Sequence, residues 1–308
     1  MLKLLNLKAT PRSFNISNFF FGNSVTNHEF LVFFRVTIGF IILGHFLAVL
    51  GDFDLLFGMN SLIPADIHSV QMYSKIVFYN EIIDFITLYT KSEGLSVTIF
   101  QVTYILLCIL IIVGFFSRIA AILLVFLQVS LMKSSFYFCY GADFFTSMSL
   151  MYIALFPSDD YFSIRNYFWK IKEKSNLTPF RRLFQIHICI AYFVSGFEKI
   201  TGYNWRNGES VWKAIHLPGF PNDFHLNFDS LGNYPWIFVL AGWFTILVEM
   251  LYPLFINIRR TRMIWLCLTI SLHLGIALVL NLYFFSAILI TWNIANYYFN
   301  DEKKVALA

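Results

Sequence analysis

Lys199 is the side chain of this sequence with the most chemistry to offer. It ends an apolar run, Leu183–Lys199, and is preceded by Glu198. A lysine in an apolar, partly dry pocket loses its charge easily, because desolvation disfavours the ammonium form. Such an amine can serve as a general base at neutral pH. Asp143 and Tyr140 begin another apolar run, and His45 sits five residues from the end of a third. Trp205, Asn207 and Glu209 follow Lys199 on a segment placed to roof the site. The competing reading is that Lys199 only snorkels to a membrane interface, as lysines at helix ends commonly do.

The elements that must position these groups follow from composition. The chain has 308 residues, of which 58% are hydrophobic and only 13% charged. A soluble domain carries about 25% charged residues, so too little polar surface is available to cover one. That excludes a cytosolic globular enzyme, a disordered chain and a nucleic-acid binder, and makes the lipid bilayer the first partner. The first 28 residues show no cationic, apolar and small-residue cleavage pattern, so no removable signal peptide is expected. Cys108, Cys139, Cys189 and Cys267 are far apart without CxxC or CxxH spacing, so neither a disulfide framework nor a metal site is expected.

A membrane-crossing helix needs about 20 mostly apolar residues. The candidate runs are Phe30–Leu50, Leu95–Phe116, Ile119–Met132, Ala142–Phe156, Leu183–Lys199, Pro235–Asn257, Met263–Leu280 and Leu282–Tyr298. The expected fold class is therefore all-α, a polytopic bundle of about eight transmembrane helices plus interfacial helices. Because the last two runs abut at Asn281, one long broken helix and seven crossings is the alternative. Residues 30–298 form the membrane domain, with a cytoplasmic N-terminal segment over 1–29 and a cytoplasmic tail over 299–308.

Lys and Arg mark one side at every turn: Arg118, then Arg165 to Arg182, then Arg259, Arg260 and Arg262, then Lys303 and Lys304. The positive-inside rule puts these turns and both termini in the cytoplasm of a cell whose plasma (inner) membrane holds the protein. Two long segments then lie outside. Gly51–Gly94 contains an amphipathic stretch, Ile76–Phe85, read as a helix on the bilayer surface. Thr201–Tyr234, with Pro218, Gly219 and Pro221, reads as an irregular capping loop.

Ionisable residues inside lipid are costly and are functional candidates by default. Arg35 and Glu249 fall at similar depths on the inner side, and a structural ion pair between them is expected. His187 and His273, also on the inner half, read mainly as hydrogen-bonded to neighbouring helices.

The run Tyr192-Phe-Val-Ser-Gly-Phe-Glu-Lys-Ile-Thr-Gly-Tyr-Asn-Trp205-Arg-Asn-Gly208 resembles the signature of the horizontally transferred transmembrane (HTTM) family. Arg35 with Gly39, the Leu62-Ile-Pro64 turn, Tyr140-Gly-Ala-Asp143, Glu249 and His273 are similar to further family positions. The resemblance spans about Phe30 to Tyr298. That family includes the vitamin K-dependent gamma-carboxylase, and Lys199 matches the lysine with which the carboxylase deprotonates its reduced quinone. Phe136 stands where the carboxylase has a functional histidine, and the carboxylase's luminal domain has no counterpart here, so glutamate carboxylation is not expected. In length and layout the chain is more similar to the bacterial branch that matures sporulation-delaying toxins.

Two readings follow. In one, a membrane enzyme uses Lys199 and Asp143 as catalytic groups on a lipid-soluble or peptide substrate held by His45, Tyr140, Glu198 and Trp205. The resemblance adds a reduced quinone as candidate cofactor. In the other, the protein is a non-catalytic accessory that presents an exported peptide or binds a small membrane partner.

Overall fold

The computed structural model describes residues 28–58, 61–64, 67, 77–170, 176–217, 223–224 and 226–299. Expectations for the N-terminal segment, the tail, Ile76 and the Pro218–Pro221 stretch lie outside them. All regular structure among the described residues is helical.

Every apolar run is helical, and Pro235–Asn257 is divided into two helices. In chain order the helices are α1 (Glu29–Val49), the short α2 (Phe53–Phe57), α3 (Tyr79–Thr90), α4 (Glu93–Val113), α5 (Ser117–Ser134) and α6 (Gly141–Leu155). There follow α7 (Ile164–Trp169), α8 (Thr178–Thr201), α9 (Tyr203–Arg206), α10 (Glu209–Ile215), α11 (Trp236–Met250), α12 (Tyr252–Phe255), α13 (Arg262–Leu280) and α14 (Tyr283–Tyr297). Among the described residues, five segments are long and apolar enough to cross a membrane: Glu29–Phe57, Glu93–Val113, Ser117–Ser134, Thr178–Thr201 and Arg262–Leu280. The helices α6, α11 and α14 have 15 residues each, about 22 Å at 1.5 Å per residue. A single broken helix at the C-terminal end is excluded. Asn281 turns the chain with φ 54°, and α13 and α14 pack side by side.

In lipid, apolar burial alone gives helices little reason to associate, so packing and interhelical hydrogen bonds must do it. The buried stripe of α1 runs through Phe30, Phe34, Ile38, Ile42 and Phe46, a helical period that faces α4 and α14. Trp292 of α14 is fully buried, donates from Nε1 to Ser149 Oγ at 2.8 Å, and meets Phe184 of α8 edge-on at 4.8 Å. One side chain thus ties α14 to α6 and α8. His187 pairs through Nδ1 with Tyr152 Oη at 2.7 Å, joining α8 to α6.

Two elements expected on the outer side differ in detail from expectation. The amphipathic helix covers Tyr79–Thr90, and it buries Tyr79 and Ile83 against the bundle while Phe85, Leu88 and Tyr89 stay exposed. The segment after Thr201 is largely helical, through α9 and α10.

Arg35 does not pair with Glu249. Its guanidinium donates to the carbonyls of Ile111 (3.1 Å) and Phe162 (2.7 Å). Ile111 lies in the last turn of α4, where the dipole end is negative, and its carbonyl, which accepts only the capping Gly114 N–H at 3.2 Å from the backbone, has a second lone pair for Arg35. A fixed cation is better satisfied there than across the bundle. The nearby acid is Asp159, which accepts from the Ser117 N–H at 2.9 Å and from the Ser117 hydroxyl, at the start of α5. Arg35→Lys is expected to lower the melting temperature, since one ammonium cannot replace a fork spanning two carbonyls. Combined with Glu249→Gln, the two losses should add to within about 0.5 kcal/mol. Coupling well beyond that in a double-mutant cycle would restore an Arg35–Glu249 link.

Candidate functional site

Lys199 Nζ lies 2.7 Å from Glu249 Oε2 and 2.6 Å from Ser195 Oγ. The lysine side chain is 18% exposed and the glutamate 8%. The register of two helices creates this pair. Gly196 of α8 packs directly on α11, where an added Cβ would sit 2.5 Å from the Met250 nitrogen. Only a residue without a side chain allows that approach, and it brings the neighbours Lys199 and Glu249 together. Directly beyond Glu249, α11 ends at Met250 and α12 begins with Pro253 in its first turn. Proline has no N–H to continue the ladder, so the helix expected over Pro235–Asn257 breaks there.

The roof is held by the same means. Gly208 has φ +83°, and a Cβ there would lie 2.5 Å from the Val239 nitrogen, so α9 and α10 press against α11. Trp205 is thereby placed with its ring centroid 5.1 Å from Lys199 Nζ, within cation–π reach. The other polar residues of the roof serve the roof itself. Asn207 accepts from the Glu209 N–H at 3.0 Å, and Glu209 pairs with Lys213 at 2.5 Å. That hydrogen bond from Lys213 holds the Glu209 carboxyl below the usual value. Glu198 is exposed, about 100° round the helix from Lys199, and does not share its contacts.

Below Lys199 on the same face of α8, seven residues back, Tyr192 opens a buried polar chain. Its hydroxyl lies 2.7 Å from His273 Nε2 and accepts from Asn293 Nδ2 at 2.7 Å. Asn293 Oδ1 in turn accepts from Tyr252 Oη at 2.8 Å. The Tyr192 hydroxyl thus joins Asn293 to His273, and which of Tyr192 and His273 donates follows the histidine tautomer. Neither Asn293 nor Tyr252 stood out in the sequence, since a lone Asn or Tyr in an apolar run carries no signal of what it faces.

His45, Tyr140 and Asp143 form a second, separate cluster. The His45 and Tyr140 rings meet edge-on at 6.0 Å. Asp143 accepts from the Tyr140 N–H at 3.1 Å and from Gln128 Nε2 at 3.3 Å. Gln128 Oε1 accepts from the buried Tyr104 hydroxyl at 2.5 Å. These residues line a cavity of about 200 Å³. The expected convergence of Lys199 with this trio is not what the structure has. Adjacent aromatics of α14 stand between the clusters. Phe284 stacks on His45 at 4.7 Å, and Phe285 meets His273 at 5.9 Å.

The four cysteines are unbridged. No protein-family model, curated protein or solved structure matches this chain, so the site is read from its own residues alone.

Proposed function

We propose that the protein is a multi-pass membrane enzyme in which Lys199, acting with Glu249, takes a proton from a lipid-soluble or peptide substrate. The observation that carries this reading is the 2.7 Å Lys199–Glu249 contact, largely buried beneath the Trp205 indole. In water such a pair is ionic. When a substrate excludes the remaining solvent, two charges in a low dielectric become expensive, and transfer of the ammonium proton to the carboxylate leaves a neutral amine and a neutral acid. The amine then accepts the substrate's proton and becomes ammonium again, while the substrate leaves as an anion beside it. Trp205 shields that charge from water and offers a face for an apolar ring.

An amine, a carboxylate and an indole face suit a reduced quinone, which would supply an acidic hydroxyl and an oxidisable ring when bound. His45, Tyr140 and Asp143, with their own cavity on the far side of Phe284 and Phe285, take no part in this step. This arrangement belongs with eight crossings, the three 15-residue helices completed by flanking turns. Both termini then lie in the cytoplasm of a bacterial cell, as the basic turns favour. An exported peptide is the expected partner.

The test is Lys199→Arg beside Lys199→Ala, at matched membrane level, read by the growth-inhibitory activity and the peptide mass in the culture medium. Arginine cannot lose its proton at accessible pH, so both variants should be inactive, with product at least 100-fold down. Activity retained by Lys199→Arg would remove the enzyme reading and leave the accessory one.

A further inference from the structure

A different part of the molecule carries a ligand site that owes nothing to the Lys199 reading. A groove of about 720 Å³ runs along α8 between α12, α13 and the end of α14. Its residues on α8 recur at Arg182, Gln185, Cys189, Ile190 and Phe193, a single helical stripe. From Arg182 to Phe193 is 11 residues, about 16 Å. That is close to the depth of one leaflet of a ~30 Å hydrocarbon core.

Polarity changes steadily along the stripe. At one end Arg182 and Arg262 approach from two helices, with Asn257 beside them. Each guanidinium is anchored within the protein: Arg182 donates to Gln185 Oε1 at 3.0 Å, and Arg262 donates to the Ile256 carbonyl at 3.3 Å. At the other end Ile190 is 55% exposed and Phe193 44% exposed, so the groove opens sideways on the apolar surface of the bundle. Two fixed guanidiniums at the mouth and an apolar slot one leaflet deep suit a ligand with an anionic head and a hydrocarbon tail.

We propose that this groove binds one anionic phospholipid from the leaflet on the basic side. Its phosphate sits between Arg182 and Arg262, and one acyl chain lies along Ile190 and Phe193. The volume is in the range of sites that enclose a ligand of that size. A bound lipid there links α8 to α13, two helices that otherwise meet mainly through α11 and α14.

The experiment is thermal unfolding of the delipidated full-length protein in neutral detergent. Phosphatidylglycerol, phosphatidylcholine or inorganic phosphate is added, and bound lipid is counted by native mass spectrometry. Phosphatidylglycerol should raise the melting temperature by several degrees and appear as one retained lipid, whereas phosphatidylcholine and phosphate should do neither. The double variant Arg182→Gln/Arg262→Gln should lose the effect, and Arg259→Gln/Arg260→Gln, outside the groove, should keep it. Ile190→Trp, which fills the slot and leaves both charges, should also lose it, and it decides the matter if the double arginine variant fails to fold. Equal stabilisation by phosphatidylcholine, or by phosphate alone, would overturn the proposal. So would lipid retention in Ile190→Trp, or loss of the effect in Arg259→Gln/Arg260→Gln.

Discussion

Glu249→Met is expected to cost about 3–5 kcal/mol, because it strands Lys199 in a low-dielectric setting without its counter-charge. Lys199→Met should cost a similar amount by stranding the carboxylate. The double variant should be far more stable than the two losses summed, since burying a matched apolar pair removes both desolvation penalties together. The geometry justifies the magnitude: the contact is 2.7 Å, and both side chains are largely out of solvent. Exposed ion pairs contribute ~1 kcal/mol or less, and so the Lys213–Glu209 pair on the roof should show almost no coupling. Reversible unfolding in mixed micelles reads all four corners of the cycle. Additivity within about 0.5 kcal/mol would mean the buried pair does not form.

Gly196→Ala is expected to destabilise by about 1–3 kcal/mol, the usual penalty of overpacking. The added Cβ would lie 2.5 Å from the Met250 nitrogen and 2.9 Å from its Cα, and backbone cannot swing aside as a side-chain tip can. Relief requires α8 and α11 to separate. That separation lengthens the Lys199–Glu249 contact one turn away, so the coupling energy in the same cycle should fall by at least half in the Gly196→Ala background. Gly275, with nothing near its missing Cβ, supplies the control. There alanine should stabilise slightly, as helix propensity favours it. A Gly196→Ala protein that melts like the parent, with coupling intact, would show that this contact does not set the register.

The sequence by itself determined that the chain is a set of apolar helices, and nearly where each one lies. Leu95–Phe116 became Glu93–Val113 and Met263–Leu280 became Arg262–Leu280. The reason is local, since a backbone among apolar residues must satisfy its own N–H and C=O groups, and a helix does so within each segment. Tyr140 and Asp143 were legible together for the same reason, three residues apart at one helix start, where the Asp143 carboxylate accepts the Tyr140 N–H. What depth along a helix could not determine was azimuth and register. Arg35 and Glu249 fell at matching depths, yet Arg35 faces the end of α4 and Glu249 faces α8. A break before Pro253 and the absence of a side chain at Gly196 moved the partner of Glu249 to Lys199. Those outcomes belong to the tertiary structure, because they depend on which backbones approach within van der Waals contact, and that is a property of two surfaces meeting and not of either sequence segment alone.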